Sequence, residues 1–174
     1  MNKNLLLVFL LAFNFSALSQ DIPMYKIEPV NLDIADSLKD YEFTSRVFTN
    51  IILSFDKNSN DLKSQLSNKT IPEQTVYFAT KLDMQVLNGG IYQYFGNYGN
   101  EYDMEIISAL QKLGLLDLSS MFEQMSKLAS KEYSEVKSKY DEFDRFYYKM
   151  SQKNSMDSHL KEFIIKHINI FKTQ

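Results

Sequence analysis

Apolar residues recur three and four positions apart along most of the chain, a spacing that places them on one face of an α-helix. No convincing segment alternates apolar and polar residues as a half-buried strand does. The pattern therefore predicts an all-α fold, a single compact multi-helix domain that follows an N-terminal signal peptide. The predicted helices cover approximately residues 33–55, 70–87, 91–97, 101–113, 118–130, 134–150 and 157–171.

Two helix boundaries have clear local signals. Thr70 and Glu73 have the spacing of a capping box, and Pro72 suits a first helical turn. Asn88, Gly89 and Gly90 follow the last apolar position of that helix, and residues of this kind readily take the left-handed conformation that ends helices. We expect the helix that begins near Thr70 to end at the glycine pair.

The first twenty residues have the pattern of a signal peptide. Lys3 precedes the apolar run Leu5–Phe13, and Ala17-Leu18-Ser19 has the small residues of a cleavage site. The apolar run is about half of the roughly 20 residues that span a bilayer. We expect cleavage near Ser19–Gln20, a periplasmic or secreted protein and no stable membrane anchor after cleavage. An N-terminal extension over 21–32 and the helical domain over 33–172 would follow.

Composition narrows the class of protein further. The chain has 174 residues, of which 44% are apolar, enough for one continuous core. It has no cysteine, so disulfide bonds are excluded. The formal net charge is −3, and loss of the leader with Lys3 lowers it by one. Because the basic residues are dispersed among acids, we expect no direct binding of nucleic acid.

The most informative segment is 83–99, which contains four of the five glycines. On a helix, Ile91 and Phe95 share one face, and Gln93 and Asn97 share another. A side-chain amide both donates and accepts, so these amides can satisfy backbone groups left unpaired at a helix end. Asp83 is expected to accept hydrogen bonds from the glycine N–H groups.

This segment has two interpretations that the sequence leaves open. It is either a tight corner between helices that serves the fold, or a corner that also lines a pocket or a partner surface. In the second case the tyrosines and amides would contact the ligand or partner. The residues in question are Asp83, Asn88, Gly89, Gly90, Tyr92, Gln93, Tyr94, Phe95, Asn97 and Tyr98.

A second candidate is an acidic and aromatic segment with Asp141, Asp144, Phe146 and Tyr147. A carboxylate there could lie in an apolar cleft, where its pKa would rise towards acid–base use, or it could lie on a solvated helix face.

Other chemistry has no support in the sequence. No serine lies in a glycine-flanked elbow, the two histidines are too far apart for a zinc pair, and the string that starts at Asp56 lacks the glycine and glutamate of a calcium loop. We therefore predict no catalytic residue, no metal and no cofactor.

The segment around the glycine pair resembles the signature of a bacterial family of DNA-mimic proteins. The resemblance rests on an acidic residue upstream of Asn88-Gly89-Gly90, then Gln93-Tyr94-Phe95 and Asn97. It continues through Ala109–Gly114 and Tyr140–Tyr147 and covers roughly residues 35–170. The resemblance implies an all-helical domain and, for a characterised relative, an acidic surface that imitates duplex DNA and occupies a DNA-binding regulator.

From these observations we predict an exported, non-catalytic binding protein with a protein partner. One alternative is a carboxylate-dependent enzyme with a cleft beside the corner at Asn88–Gly90. A second alternative is a DNA mimic that sequesters a basic DNA-binding protein, which must reproduce the duplex charge density of about one negative charge per 1.7 Å of helix axis. The low net charge and the predicted leader disfavour mimicry.

Overall fold

The computed structural model describes residues 26–59 and 61–172, and the predicted leader lies outside these ranges. The described ranges form a helical domain, which confirms the predicted all-α class. The helices in chain order are α1 (Leu32–Ser37), α2 (Asp40–Leu53), α3 (Leu62–Ser67), α4 (Ile71–Tyr98), α5 (Asp103–Lys112), α6 (Leu116–Ser126), α7 (Tyr133–Lys153), α8 (Met156–Lys166) and α9 (Ile168–Phe171).

Helix α4 is the centre of the fold. It packs against α2, α5, α7 and α8, while α5 packs on α6, α6 on α7, and α2 on α8. Apolar side chains along α4, including Val76, Leu82, Val86 and Ile91, are fully buried in one continuous core. Within residues 26–59 and 61–172, no helix combines the length and the hydropathy needed to cross a bilayer.

The two local boundary signals are confirmed. The Thr70 side chain accepts from the backbone N–H of Glu73 at 3.4 Å, and the Glu73 carboxylate accepts from the N–H of Thr70 at 2.8 Å. The helix continues to the glycine pair, where its backbone leaves helical geometry. Gly114, which directly follows the predicted helix over 101–113, has a φ of +75°, the left-handed conformation that ends helices.

The prediction of one helix over residues 33–55 is wrong, because the chain forms α1 and α2 with a break between them. The backbone of Lys39 is extended at this break, and its N–H donates a hydrogen bond to the Glu42 carboxylate at 3.1 Å. The carbonyl of Leu38 accepts from Lys161 Nζ on α8 at 2.9 Å. A side chain from the far end of the sequence therefore stabilises the break.

The C-terminal helices also differ from the prediction. Helix α7 continues to Lys153, so the gap predicted between residues 150 and 157 shortens. The Ser155 hydroxyl caps α8 by accepting from the N–H of Ser158 at 3.2 Å. The predicted final helix is split at His167 into α8 and α9. Helix α3 was not predicted, and the Asp61 carboxylate caps it by accepting from the N–H of Ser64 at 2.9 Å.

Candidate interaction site at the helix break

Helix α4 consists of two arms, residues 71–88 and residues 91–98, separated by Gly89 and Gly90. Gly90 has φ 75° and ψ 179°, a conformation that side chains with a Cβ rarely adopt. A Cβ at Gly90 would also collide with the carboxylate of Asp144 on α7. Both the backbone angle and the close approach of α7 therefore require glycine at this position.

Asp144 caps the second arm of α4. Its Oδ1 accepts from the backbone N–H of Ile91 at 2.8 Å, one of the donors that a helix start leaves without an internal partner. Burial raises the pKa of the Asp144 carboxyl above its ordinary value, and the bond from Ile91 opposes this shift. The prediction for Asp83 was that it accepts from the glycine N–H groups, whereas the hydrogen bond found for its carboxylate comes from Tyr147 of α7.

Asp83 instead accepts a hydrogen bond from the hydroxyl of Tyr147, a fully buried residue of α7. Burial raises the pKa of Asp83 to about 7; the bond from Tyr147 opposes this rise, and the nearby Asp157 carboxylate adds to it. Burial also raises the pKa of Tyr147 well above its ordinary value. At neutral pH this pair therefore holds a carboxyl group that is partly protonated inside the domain.

A shallow pocket of about 430 Å³ lies where the first turns of α2 and α8 meet. Its lining includes Asp40, Tyr41 and Asp157. Burial raises the pKa of Asp157, and a hydrogen bond from the Thr44 hydroxyl opposes the shift. Asp83 does not line this pocket. In the described part of the chain, no group of three His, Asp or Glu side chains could hold a metal ion.

The amides of the corner bond to one another. Gln85 Oε1 accepts from Gln93 Nε2 at 2.9 Å and from Asn97 Nδ2 at 2.7 Å, and Asn88 Nδ2 donates to Gln93 Oε1 at 2.9 Å. These bonds, rather than the predicted bonds to backbone groups, join the two arms of α4. Gln85 is buried and was not among the predicted residues. Its position on the same apolar helix face as Phe78 indicates a buried side chain and could have identified it from the sequence.

The aromatic residues of the corner divide into buried and exposed groups. Tyr94 and Phe95 are buried, and the Tyr94 ring packs edge-on against Phe122 with centroids 5.2 Å apart. In contrast, 51% of Tyr92 is exposed, and its ring lies 4.4 Å from that of Tyr133 on α7. The Tyr92 side chain therefore lies at the protein surface, whereas the side chains of Tyr94 and Phe95 pack in the core.

The residues of the acidic and aromatic segment of α7 also divide into a group that contacts α4 or the core and a group that lies near solvent. Asp144 and Tyr147 bond to α4, and Phe146 is partly buried against the core. Asp141 lies nearer to solvent and forms an ion pair with Lys137 at 2.5 Å. Next to it, Glu142 pairs with Lys139 at 3.0 Å, so the outer side of α7 carries both signs of charge in ion pairs.

These contacts define a class of all-helical protein in which a central helix is broken at a glycine pair and capped by a carboxylate from a second helix. A family model described as DMP19-like protein matches residues 67–167, which is more than half of the chain. The chain belongs to this DMP19-like family. The matched range contains the break and α7 and is shorter than the predicted range of 35–170. No curated protein and no solved structure matches the chain.

Proposed function

We propose that this member of the DMP19-like family is an exported, non-catalytic interaction protein that binds a protein partner. The proposed contact is the aromatic surface, which we define as Tyr92 on α4 and Tyr133 on α7. The observation that carries the proposal is the tilted packing of these two rings, with centroids 4.4 Å apart, while 51% of Tyr92 and 40% of Tyr133 remain exposed. Export rests on the leader pattern in the sequence.

Tyrosine pairs of this kind suit protein recognition. A tyrosine ring contributes a large apolar area and its hydroxyl tolerates water, which is why tyrosine is enriched at interfaces. The buried Tyr140 lies 6.3 Å behind Tyr92, and the cap from Asp144 holds the arm that carries Tyr92. A surface that is already ordered loses less conformational entropy when a partner binds.

DNA mimicry has less support from the surface of α7. Imitation of a duplex requires closely spaced negative charges of a single sign. Along α7, the carboxylates of Asp141 and Glu142 are paired with lysines, so the charges largely cancel locally. A partner that recognises an exposed aromatic pair fits this face better than one that recognises a DNA backbone.

The experiment that tests the proposal is affinity capture with matched variants. Tagged mature protein and the double variant Tyr92→Ser with Tyr133→Ser would be incubated with periplasmic and extracellular fractions of the producing cells. Tyr41→Ser is the control, because Tyr41 is also 40% exposed but lies on α2. Tyr94 is unsuitable for this test, since its replacement would remove a buried aromatic side chain.

We expect the wild type and Tyr41→Ser to retain the same partner and the double variant to lose it. Circular dichroism and thermal unfolding would establish that all three proteins are folded. Retention of the same partner by the folded double variant would contradict the proposed surface.

Carboxylate-dependent catalysis is a second candidate, favoured by the raised pKa of Asp83, about 7, next to the Tyr147 hydroxyl. A carboxyl that titrates near neutral pH can both give and take a proton. The test is titration of Asp83 and Asp144 by carbon-detected NMR. Ordinary carboxyl pKa values for both residues would remove the basis for this candidate.

A further inference from the structure

Lys81 on the first arm of α4 is a partly buried cation with an unusual environment. Its Nζ lies 4.9 Å from the ring centre of Tyr98 and 6.0 Å from that of Tyr77. Burial lowers the pKa of Lys81 to about 8. Among residues 26–59 and 61–172, it forms no ion pair with a carboxylate and donates no hydrogen bond to a protein acceptor.

This environment compensates the charge incompletely. A buried ammonium group is unfavourable unless it is paired, and the faces of tyrosine rings offset only part of that cost. Lys69 provides a comparison within the same protein. Its Nζ also lies over an aromatic ring, that of Phe55 at 5.6 Å, but it donates to the Ser54 hydroxyl at 2.6 Å.

An amide donor, Asn97, lies on the second arm of α4 next to the tyrosine that covers Lys81. Gln85, one helical turn after Lys81, binds Asn97 Nδ2 at 2.7 Å, and Asn97 is adjacent to Tyr98. One N–H of the Asn97 amide bonds to Gln85, which leaves the second N–H for a ligand. Asn97 is exposed, so a ligand can reach it.

We propose that Lys81, Asn97 and Tyr98 form a binding site for a carboxylate carried on an aromatic or apolar body. The ammonium and the amide N–H groups would donate to the carboxylate oxygens, and the body would pack against the rings of Tyr98 and Tyr102, whose centres are 6.2 Å apart. One cation between aromatic walls matches a single negative charge. Phosphate sites favour several donors from basic residues or a helix N-terminus.

The Lys81 site is separate from the aromatic surface. Tyr92 packs towards Tyr133 and Tyr140 on α7, whereas Tyr98 packs towards Lys81 on the first arm and towards Tyr102. The inference therefore does not depend on the proposed protein partner.

The test measures how fast an amine-acylating reagent modifies Lys81 in the folded full chain, by peptide mapping with mass spectrometry. Benzoate is the first probe, and benzamide is its uncharged match. Bound benzoate would cover the amine and raise its pKa; each unit of increase reduces the free amine about tenfold at a pH below the pKa. We expect saturable protection of Lys81 by benzoate, none by benzamide, and no change at Lys69.

Two further measurements identify the source of the carboxylate and the role of Asn97. A peptide with blocked termini and the sequence Phe-Glu-Phe would be compared with its Phe-Gln-Phe match. Protection by benzoate points to a small acid, and protection by the glutamate peptide alone points to a protein side chain. Asn97→Leu should weaken the protection of Lys81 by benzoate, measured relative to the rate at which Lys81 of the same variant reacts without ligand. Absence of protection by both benzoate and the glutamate peptide would overturn the proposal.

Discussion

The carboxylate of Asp144 accepts a hydrogen bond from the backbone N–H of Ile91 at 2.8 Å, although the two residues are 53 positions apart in the chain. This bond caps the second arm of α4 from α7 and sets the position of the arm that carries Tyr92. The stability of the corner therefore depends on a long-range contact as well as on the glycines beside it.

Loss of the cap is expected to destabilise the protein. Asp144→Ala should lower the free energy of unfolding by about 1–2 kcal/mol, because the N–H of Ile91 loses its acceptor. Asp141→Ala on the same helix is the control, since it removes only a partly exposed ion pair with Lys137 and should cost less than about 1 kcal/mol. Urea unfolding measures both changes, and equal effects would contradict the capping role.

The glycines of α4 should respond in opposite directions to alanine. Gly90→Ala would force a residue with a Cβ to φ 75° and against Asp144, so we expect a loss of about 2 kcal/mol or more. Gly96→Ala lies on the same arm with open space around its Cβ position, and it should stabilise by about 0.4–1 kcal/mol. Thermal unfolding of the two variants checks the sign, and a stable Gly90→Ala variant would contradict the assigned geometry.

Asp83 should make stability fall as the pH rises. Its folded pKa of about 7 lies above the ordinary value of 3.8, so its contribution is full below about pH 4 and is lost as the pH passes through 7. Asp83→Asn carries no titrating group and can still accept from Tyr147. We expect the free energy of unfolding of the variant, relative to that of the wild type, to be about 2–4 kcal/mol higher at pH 8.5 than at pH 4. A pH-independent difference in urea unfolding would show that Asp83 titrates normally.

Gln85 should couple the two arms of α4. Gln85→Leu removes the acceptor shared by Gln93 and Asn97, so we expect a loss of about 1 kcal/mol and faster hydrogen exchange in the second arm. Gln111→Leu, at an exposed position of α5, should change stability by less than about 0.5 kcal/mol. Unchanged exchange in the second arm of the Gln85 variant would contradict the coupling.

Much of the candidate site could be predicted, but its contacts could not. The signature around Asn88–Gly90 identified the corner, since glycines and amides at a helix end are visible in the sequence. The roles were assigned less well, because Asp83 and Asp144 both lie near the break and only packing shows which carboxylate reaches Ile91. Lys81 was missed, since a lone lysine in a helical sequence looks like a solvated residue.

The sequence by itself determined the features that depend on residues within one helical turn. These are the helical class, the capping box of Thr70 and Glu73, the break at the glycine pair and the left-handed Gly114. Their physical basis is local, because backbone sterics and neighbouring side chains decide them.

Tertiary structure alone decided which side chains meet. It placed Tyr94 in the core and Tyr92 at the surface, although both belong to one short arm of α4. It also separated α1 from α2 with the help of Lys161, which lies far along the chain. Such outcomes depend on how α4 packs against α7 and α8, and hydrophobic periodicity specifies a buried face without specifying the helix that covers it.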